Sequence, residues 1–112
     1  MNVSARALDG MYGRSAAGVP ARIERVTDGG WMPVAFGETD ADGFIVDWSE
    51  NKFERTAHRI IFDSDRYFAG QGVKAAYPEV SATFRIADDY DTYQIQVVLC
   101  PASYTMYFGT HG

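Results

Sequence analysis

The sequence predicts an all-β fold, an antiparallel sandwich of eight strands with one short helix at about residues 64–70. Short runs alternate apolar and polar side chains with period 2, as strands with one face on a core do. Clusters of Gly, Asp and Pro separate these runs at intervals of about 8–12 residues, the spacing of a sandwich. No self-similarity recurs at about 20–50 residues, which excludes a solenoid.

The first strand spans residues 3–8, with Val3, Ala5 and Ala7 on one side and Ser4, Arg6 and Leu8 on the other. Asp9-Gly10 and Tyr12-Gly13-Arg14-Ser15 then read as loop. Strands over 21–26 and 31–39 flank the hairpin turn Thr27-Asp28-Gly29-Gly30, whose glycines are available for positive φ. Asp40-Ala41-Asp42-Gly43 is a second turn, a fourth strand covers 44–48, and 49–52 is a polar loop. The fifth strand, 55–62, sets His58, Ile60 and Phe62 against Arg59 and Ile61. Asp63 or Ser64 can cap the helix, and Gly70 or Gly72 can end it. Val80, Ala82, Phe84 and Ile86 form the inner side of a sixth strand over 80–87, and 88–91 is a turn. The last third closes the chain as a hairpin. Tyr93, Ile95, Val97 and Leu99 oppose Gln94, Gln96 and Val98, Pro101 ends that arm, and residues 103–109 return.

A length of 112 residues predicts one domain, 1–112, and 46% hydrophobic content argues against disorder. The net charge of −5, with ten basic residues scattered among fifteen acidic ones, opposes a nucleic-acid partner. One cysteine, Cys100, leaves no internal disulfide and no multi-cysteine metal site, and neither metal nor cofactor is expected. No apolar run approaches 18 residues, and the first residues lack the apolar core of a signal peptide. The expected location is therefore the cytoplasm, away from membranes.

Ala17-Gly18-Val19-Pro20, Thr39-Asp40-Ala41-Asp42-Gly43, Phe62-Asp63, Tyr67-Phe68, Tyr77-Pro78-Glu79-Val80, the 93–101 strand and Tyr107-Phe108-Gly109-Thr110 occur in a specific order. In that order and spacing the whole chain resembles the transthyretins and 5-hydroxyisourate hydrolases. The resemblance implies a transthyretin-like sandwich, dimers paired edge to edge, and a homotetramer with a central channel. That channel holds the active sites in the hydrolases and binds thyroid hormone in vertebrate transthyretin. An exposed last strand suits such association, because unpaired edges template pairing.

The hydrolytic residues implied by the family are replaced at four positions. Arg6 stands where the hydrolases have a first histidine, and Gln94 where they have a second. Phe44 and Phe108 each stand in place of an arginine. With the family arrangement, the channel wall would carry Arg6, Leu8, Phe44, Gln94, Gln96, Val98, Thr105 and Tyr107. Arg6, Gln94 and Tyr107 are the candidate catalytic residues. Leu8, Phe44, Gln96, Val98, Thr105, Phe108 and His111 are the candidate ligand contacts. A guanidinium can hold an anion but is a poor base, while an imidazole can activate water near neutral pH.

Plainer roles stand beside these. Arg6 could be a surface or interface salt-bridge residue, Gln94 and Gln96 solvated strand residues, Tyr107 and Phe108 simple packing, and His111 a frayed tail. His58 reads as a core residue, Cys100 as an inert small hydrophobe, and Asp40 and Asp42 as turn formers. The replacements favour a repurposed non-hydrolytic enzyme, a cyclase, isomerase or lyase of specialised metabolism acting on a small molecule. The alternatives are a non-catalytic small-molecule carrier and a 5-hydroxyisourate hydrolase, the last disfavoured by the missing histidines.

Overall fold

The computed structural model describes residues 2–49, 53–87 and 92–111, the last of these without its side chain. Along the chain run β1 (Asn2–Asp9), β2 (Arg14–Ser15), β3 (Pro20–Thr27), β4 (Gly30–Glu38), β5 (Phe44–Ile45), β6 (Ala57–Phe62), α1 (Ser64–Gly70), β7 (Val80–Arg85), β8 (Thr92–Leu99) and β9 (Tyr104–His111). One sheet has the order β2-β1-β8-β9, with β5 also paired to β1. The other has the order β4-β3-β6-β7. The two sheets and the one short helix match the expected sandwich in kind.

The structure corrects several expectations. Nine strands are present among the described residues, because the 12–15 loop contains β2 and two strands are only two residues long. The fold is not wholly antiparallel: β1 and β8 run parallel in register from Asn2↔Thr92 to Asp9↔Leu99. The fourth strand stops at Ile45. Trp48 instead turns inward, and its indole N–H donates to the Val3 carbonyl at 2.9 Å. Of the 49–52 loop only Ser49 is described, bridged to Phe36, and the 88–91 turn lies outside the described residues.

Alternation builds the core. Val3, Ala5 and Ala7 face Ile23, Ile60, Phe62 and Phe84 of the other sheet, beside Tyr93, Ile95, Val97 and Leu99 of β8. His58 belongs to this core. Its Nδ1 lies 3.0 Å from the Thr56 carbonyl, and the rings of Phe53 and Phe84 flank it. Burial pushes its imidazole below the usual value, more strongly than the Thr56 contact raises it.

Asp9, expected in a loop, is buried at the end of β1. One carboxylate oxygen accepts the backbone N–H groups of Met11 and Tyr12, and the other accepts the Tyr67 hydroxyl at 2.5 Å. Burial first, then Asp9, push the Tyr67 phenol up to about 12, so it stays a donor. Asp63 caps α1 through the Arg66 N–H, and Tyr67 ties the helix to β1.

Glu24 sits at a β-bulge between Ile23 and Glu24. Burial alone would raise its carboxyl, but hydrogen bonds and charge from Arg59 and Arg22 outweigh this and hold it below the usual value. The Arg59 guanidinium is stacked in turn over Trp31 at 4.6 Å. A depressed folded pKa means stability that is present above the unfolded value and lost as pH falls through the folded one. Glu24→Gln should therefore destabilise the protein in urea melts at pH 7. The gap from wild type should close as pH drops well below the usual value of 4.5. A gap unchanged down to pH about 3 would contradict this account.

Candidate functional site

The site is set by three strand registers on the outward face of the first sheet. Arg6 pairs with Phe44 on β5 and with Gln96 on β8, and Gln96 pairs with Tyr107 on β9. Phe44, Arg6, Gln96 and Tyr107 thus lie abreast, a row about 14 Å wide at the usual strand spacing. Ser4, Gln94 and Gly109 form the next row on one side, and Leu8, Val98 and Thr105 the row on the other. Because alternation sends Val3, Ala5, Ala7, Ile95 and Val97 into the core, these partners must face outward.

Phe44 reaches Arg6 through the turn before it. Asp40 accepts the N–H groups of Asp42 and Phe44, each at 2.9 Å. Gly43 has φ of 83°, and a Cβ there would sit 2.5 Å from the Ala7 carbonyl oxygen. The Ala7 N–H donates back to the Gly43 carbonyl at 2.8 Å. The turn is therefore seated on β1, and the Arg6 guanidinium carbon lies 4.8 Å from the centre of the Phe44 ring. Such a cation–π contact is worth about 0.5–1 kcal/mol when exposed. Asp40 and Asp42 act as turn residues.

Arg6 Nε is buried and has no acceptor among the described residues. It lines a hollow of about 240 Å³ with Ser4, Phe44, Gln94, Gln96 and Tyr107. A neighbouring hollow of about 470 Å³ shares Arg6 and runs past Leu8 and Val98 to Arg14 and Ser15. The first hollow offers one guanidinium, two amides and a phenol, and the second adds the Arg14 guanidinium beside the apolar Leu8 and Val98. The surface can hold a carbonyl or carboxylate end of a small molecule and pack the rest.

Eight of the predicted residues come together on this face: Arg6, Leu8, Phe44, Gln94, Gln96, Val98, Thr105 and Tyr107. Phe108 does not join them. It shares the side of Ile95, its ring lies 5.7 Å from Phe84, and it lines a separate hollow at the β7–β9 edge. Alternation along β9 forces this, since Phe108 follows Tyr107 directly. His111 ends β9 opposite Thr92, and its side chain lies outside the described residues. Ser4 was missed, although its shared parity with Arg6 placed it on the same face. Arg14 and Ser15 were missed because nothing in a loop reading brings them beside Leu8.

The profile of the HIUase/transthyretin family matches residues 3–109. A 5-hydroxyisourate hydrolase of Salmonella dublin is 30% identical over 109 residues, covering 96% of this chain and 80% of that protein. A 5-hydroxyisourate hydrolase of Mus musculus is 27% identical over 106 residues, covering 92% of this chain and 90% of that protein. The structure of sea bream transthyretin in complex with thyroxine superposes with a TM-score of 0.90 at 28% identity, covering 99% of this chain and 97% of that one. These relatives overturn the expected cyclase, isomerase or lyase of specialised metabolism, and with it the disfavouring of hydrolase activity. Both sequence relatives bear the hydrolase name across nearly the whole chain. The expectation rested on side-chain replacement at four positions, and replacement of donors does not by itself supply a different reaction.

The seat of the β5 turn can be tested directly. Gly43→Ala should cost more than about 1 kcal/mol, because it adds strain at positive φ and a clash with backbone. Asp42→Ala should stay within about 0.5 kcal/mol, as exposed positions do. Equal denaturation midpoints for the two variants would show that the turn is not seated as described.

Proposed function

We propose, on the premise that this chain belongs to the HIUase/transthyretin family, that it hydrolyses a cyclic ureide of the 5-hydroxyisourate type on the Arg6 face. The observation that carries the reading is a guanidinium stacked on Phe44 and free of any carboxylate partner among the described residues, with Gln94, Gln96 and Tyr107 beside it. The hydrolase relatives support the reaction class.

In such a ring opening, water adds to a ring carbonyl, the carbonyl oxygen takes up negative charge, and the ring C–N bond then breaks. Arg6 is the group to meet the oxyanion, since donors aimed at developing charge in a site of low dielectric are the main electrostatic lever of catalysis. Gln94 and Gln96 orient the ring and the attacking water through their amides. The Tyr107 phenol supplies a proton to the departing nitrogen. Positions 6 and 94 hold no imidazole, so the attacking water loses its proton to solvent base. The apolar row of Leu8 and Val98, with Phe44, would pack the body of the substrate. The face is open on a single chain, and the reading includes a homotetramer in which a second copy closes it, making a channel.

A second reading, a carrier for an amphiphilic small molecule, is favoured by the apolar floor beside Arg6 and by the thyroxine-bound transthyretin neighbour. Decay of 5-hydroxyisourate separates the two. Under the hydrolase reading, purified protein accelerates decay well beyond buffer alone. Arg6→Ala then lowers kcat/KM by about 10- to 100-fold, the worth of one charge-assisted hydrogen bond. Tyr107→Phe lowers kcat by about 10²–10⁴-fold. Decay no faster than in buffer, with an added ligand returned unchanged, would leave the carrier reading.

The pH profile is a separate check. With no imidazole at positions 6 and 94, log(kcat/KM) should rise with pH without a break near 6.5. A break at that pH that disappears in His111→Ala would instead assign the base to His111. Light scattering should give the mass of four chains, and a monomer at micromolar concentration would remove the shared channel.

A further inference from the structure

We infer that Gly109 is a positioning residue for Tyr107, an inference that rests on the reading of the Arg6 face as the site. Gly109 lies in β9 opposite Gln94, two residues beyond Tyr107 and on the same side of the sheet. Its backbone is not in the left-handed region, unlike that of Gly13, Gly18, Gly30, Gly43 and Gly72. Strand geometry therefore does not ask for glycine here, and glycine inside a strand weakens it. What a side chain here would press against is Tyr107. A Cβ at Gly109 would lie 3.1 Å from both Cε1 and the hydroxyl oxygen of Tyr107, and 3.4 Å from Cζ.

The tyrosine ring thus lies down along β9, over the bare backbone of Gly109, instead of standing away from the sheet. This carries the phenol from the Arg6–Gln96 row into the row of Ser4 and Gln94. Both Gln94 and Tyr107 consequently line the one hollow with Arg6. The absent side chain fixes where the proton donor sits relative to the cation. A β-carbon at position 109 would press on the edge and hydroxyl of the exposed ring, which would have to give by a few tenths of an ångström. A small displacement at a reacting group is enough to matter, since about 1 Å of misplacement can cost about 100-fold in rate.

The test needs a structural readout and a kinetic one. In wild-type protein, NMR should give a through-space cross-peak between the Gly109 Hα protons and the Tyr107 ring Hε protons, and its absence overturns the inference. With 5-hydroxyisourate as substrate, Gly109→Ala should lower kcat/KM by about three- to tenfold, chiefly through kcat. In a Tyr107→Ala background the same change should have no further effect. A merely structural role for Gly109 would cost the same in both backgrounds, and that additivity would overturn the inference. Wild-type kinetics in Gly109→Ala, with Tyr107→Phe impaired, would sink the positioning role and leave the site reading intact. Wild-type kinetics in Tyr107→Phe would remove the proton-donor role and with it the positioning role, while the Arg6 face would still stand or fall with Arg6→Ala.

Discussion

The parallel pairing of β1 with β8 is the constraint from which the rest of the molecule follows. It joins residues 2–9 to residues 92–99, far apart along the chain, at the middle of one sheet. Long-range pairing of this kind carries the full loop-closure cost before any contact offsets it. Buried rows on both strands supply the offset, with Val3, Ala5 and Ala7 beside Tyr93, Ile95, Val97 and Leu99. A slip of one residue would turn these rows to solvent and carry Arg6 into the core. Register and site are therefore one fact.

Smaller devices hold that register at its ends. The buried Asp9 carboxylate gathers two backbone donors and the Tyr67 hydroxyl, fixing α1 to the end of β1. Tyr77 does similar work at the last hairpin, with its hydroxyl within hydrogen-bond reach of the Cys100 and Ser103 carbonyls. On the other edge of β1, the Asp40 turn and Gly43 bring Phe44 beside Arg6. Arg6 is stacked on Phe44 and has no carboxylate partner among the described residues.

Family membership and local chemistry bear on different questions. Likeness over nearly the whole chain speaks for the scaffold and the class of reaction. The residues on the face speak for how that reaction could run. Under the proposed hydrolysis, a face with Arg6, Gln94 and Tyr107 would lean on charge stabilisation and proton donation, whereas imidazoles would add general-base catalysis. The aromatic at position 44 adds apolar area beside Arg6.

Much of this was legible in the sequence because period-2 alternation is a local property. It placed Val3, Ala5, Ala7, Ile95, Val97 and Leu99 inside, and Arg6, Gln94 and Gln96 outside, before any fold was known. Turn chemistry made Asp40 and Gly43 readable as a turn, and the strand pattern made His58 readable as core. The sequence could not reveal that its first and last thirds meet in parallel. Nor could it show that Asp9 is buried, that Phe108 packs on Phe84, or that Tyr107 lies across Gly109. Each of these depends on a partner far along the chain or on a rotamer chosen by neighbours. Alternation determines which side of its own strand a residue faces, and only the assembled sheets decide what stands opposite it.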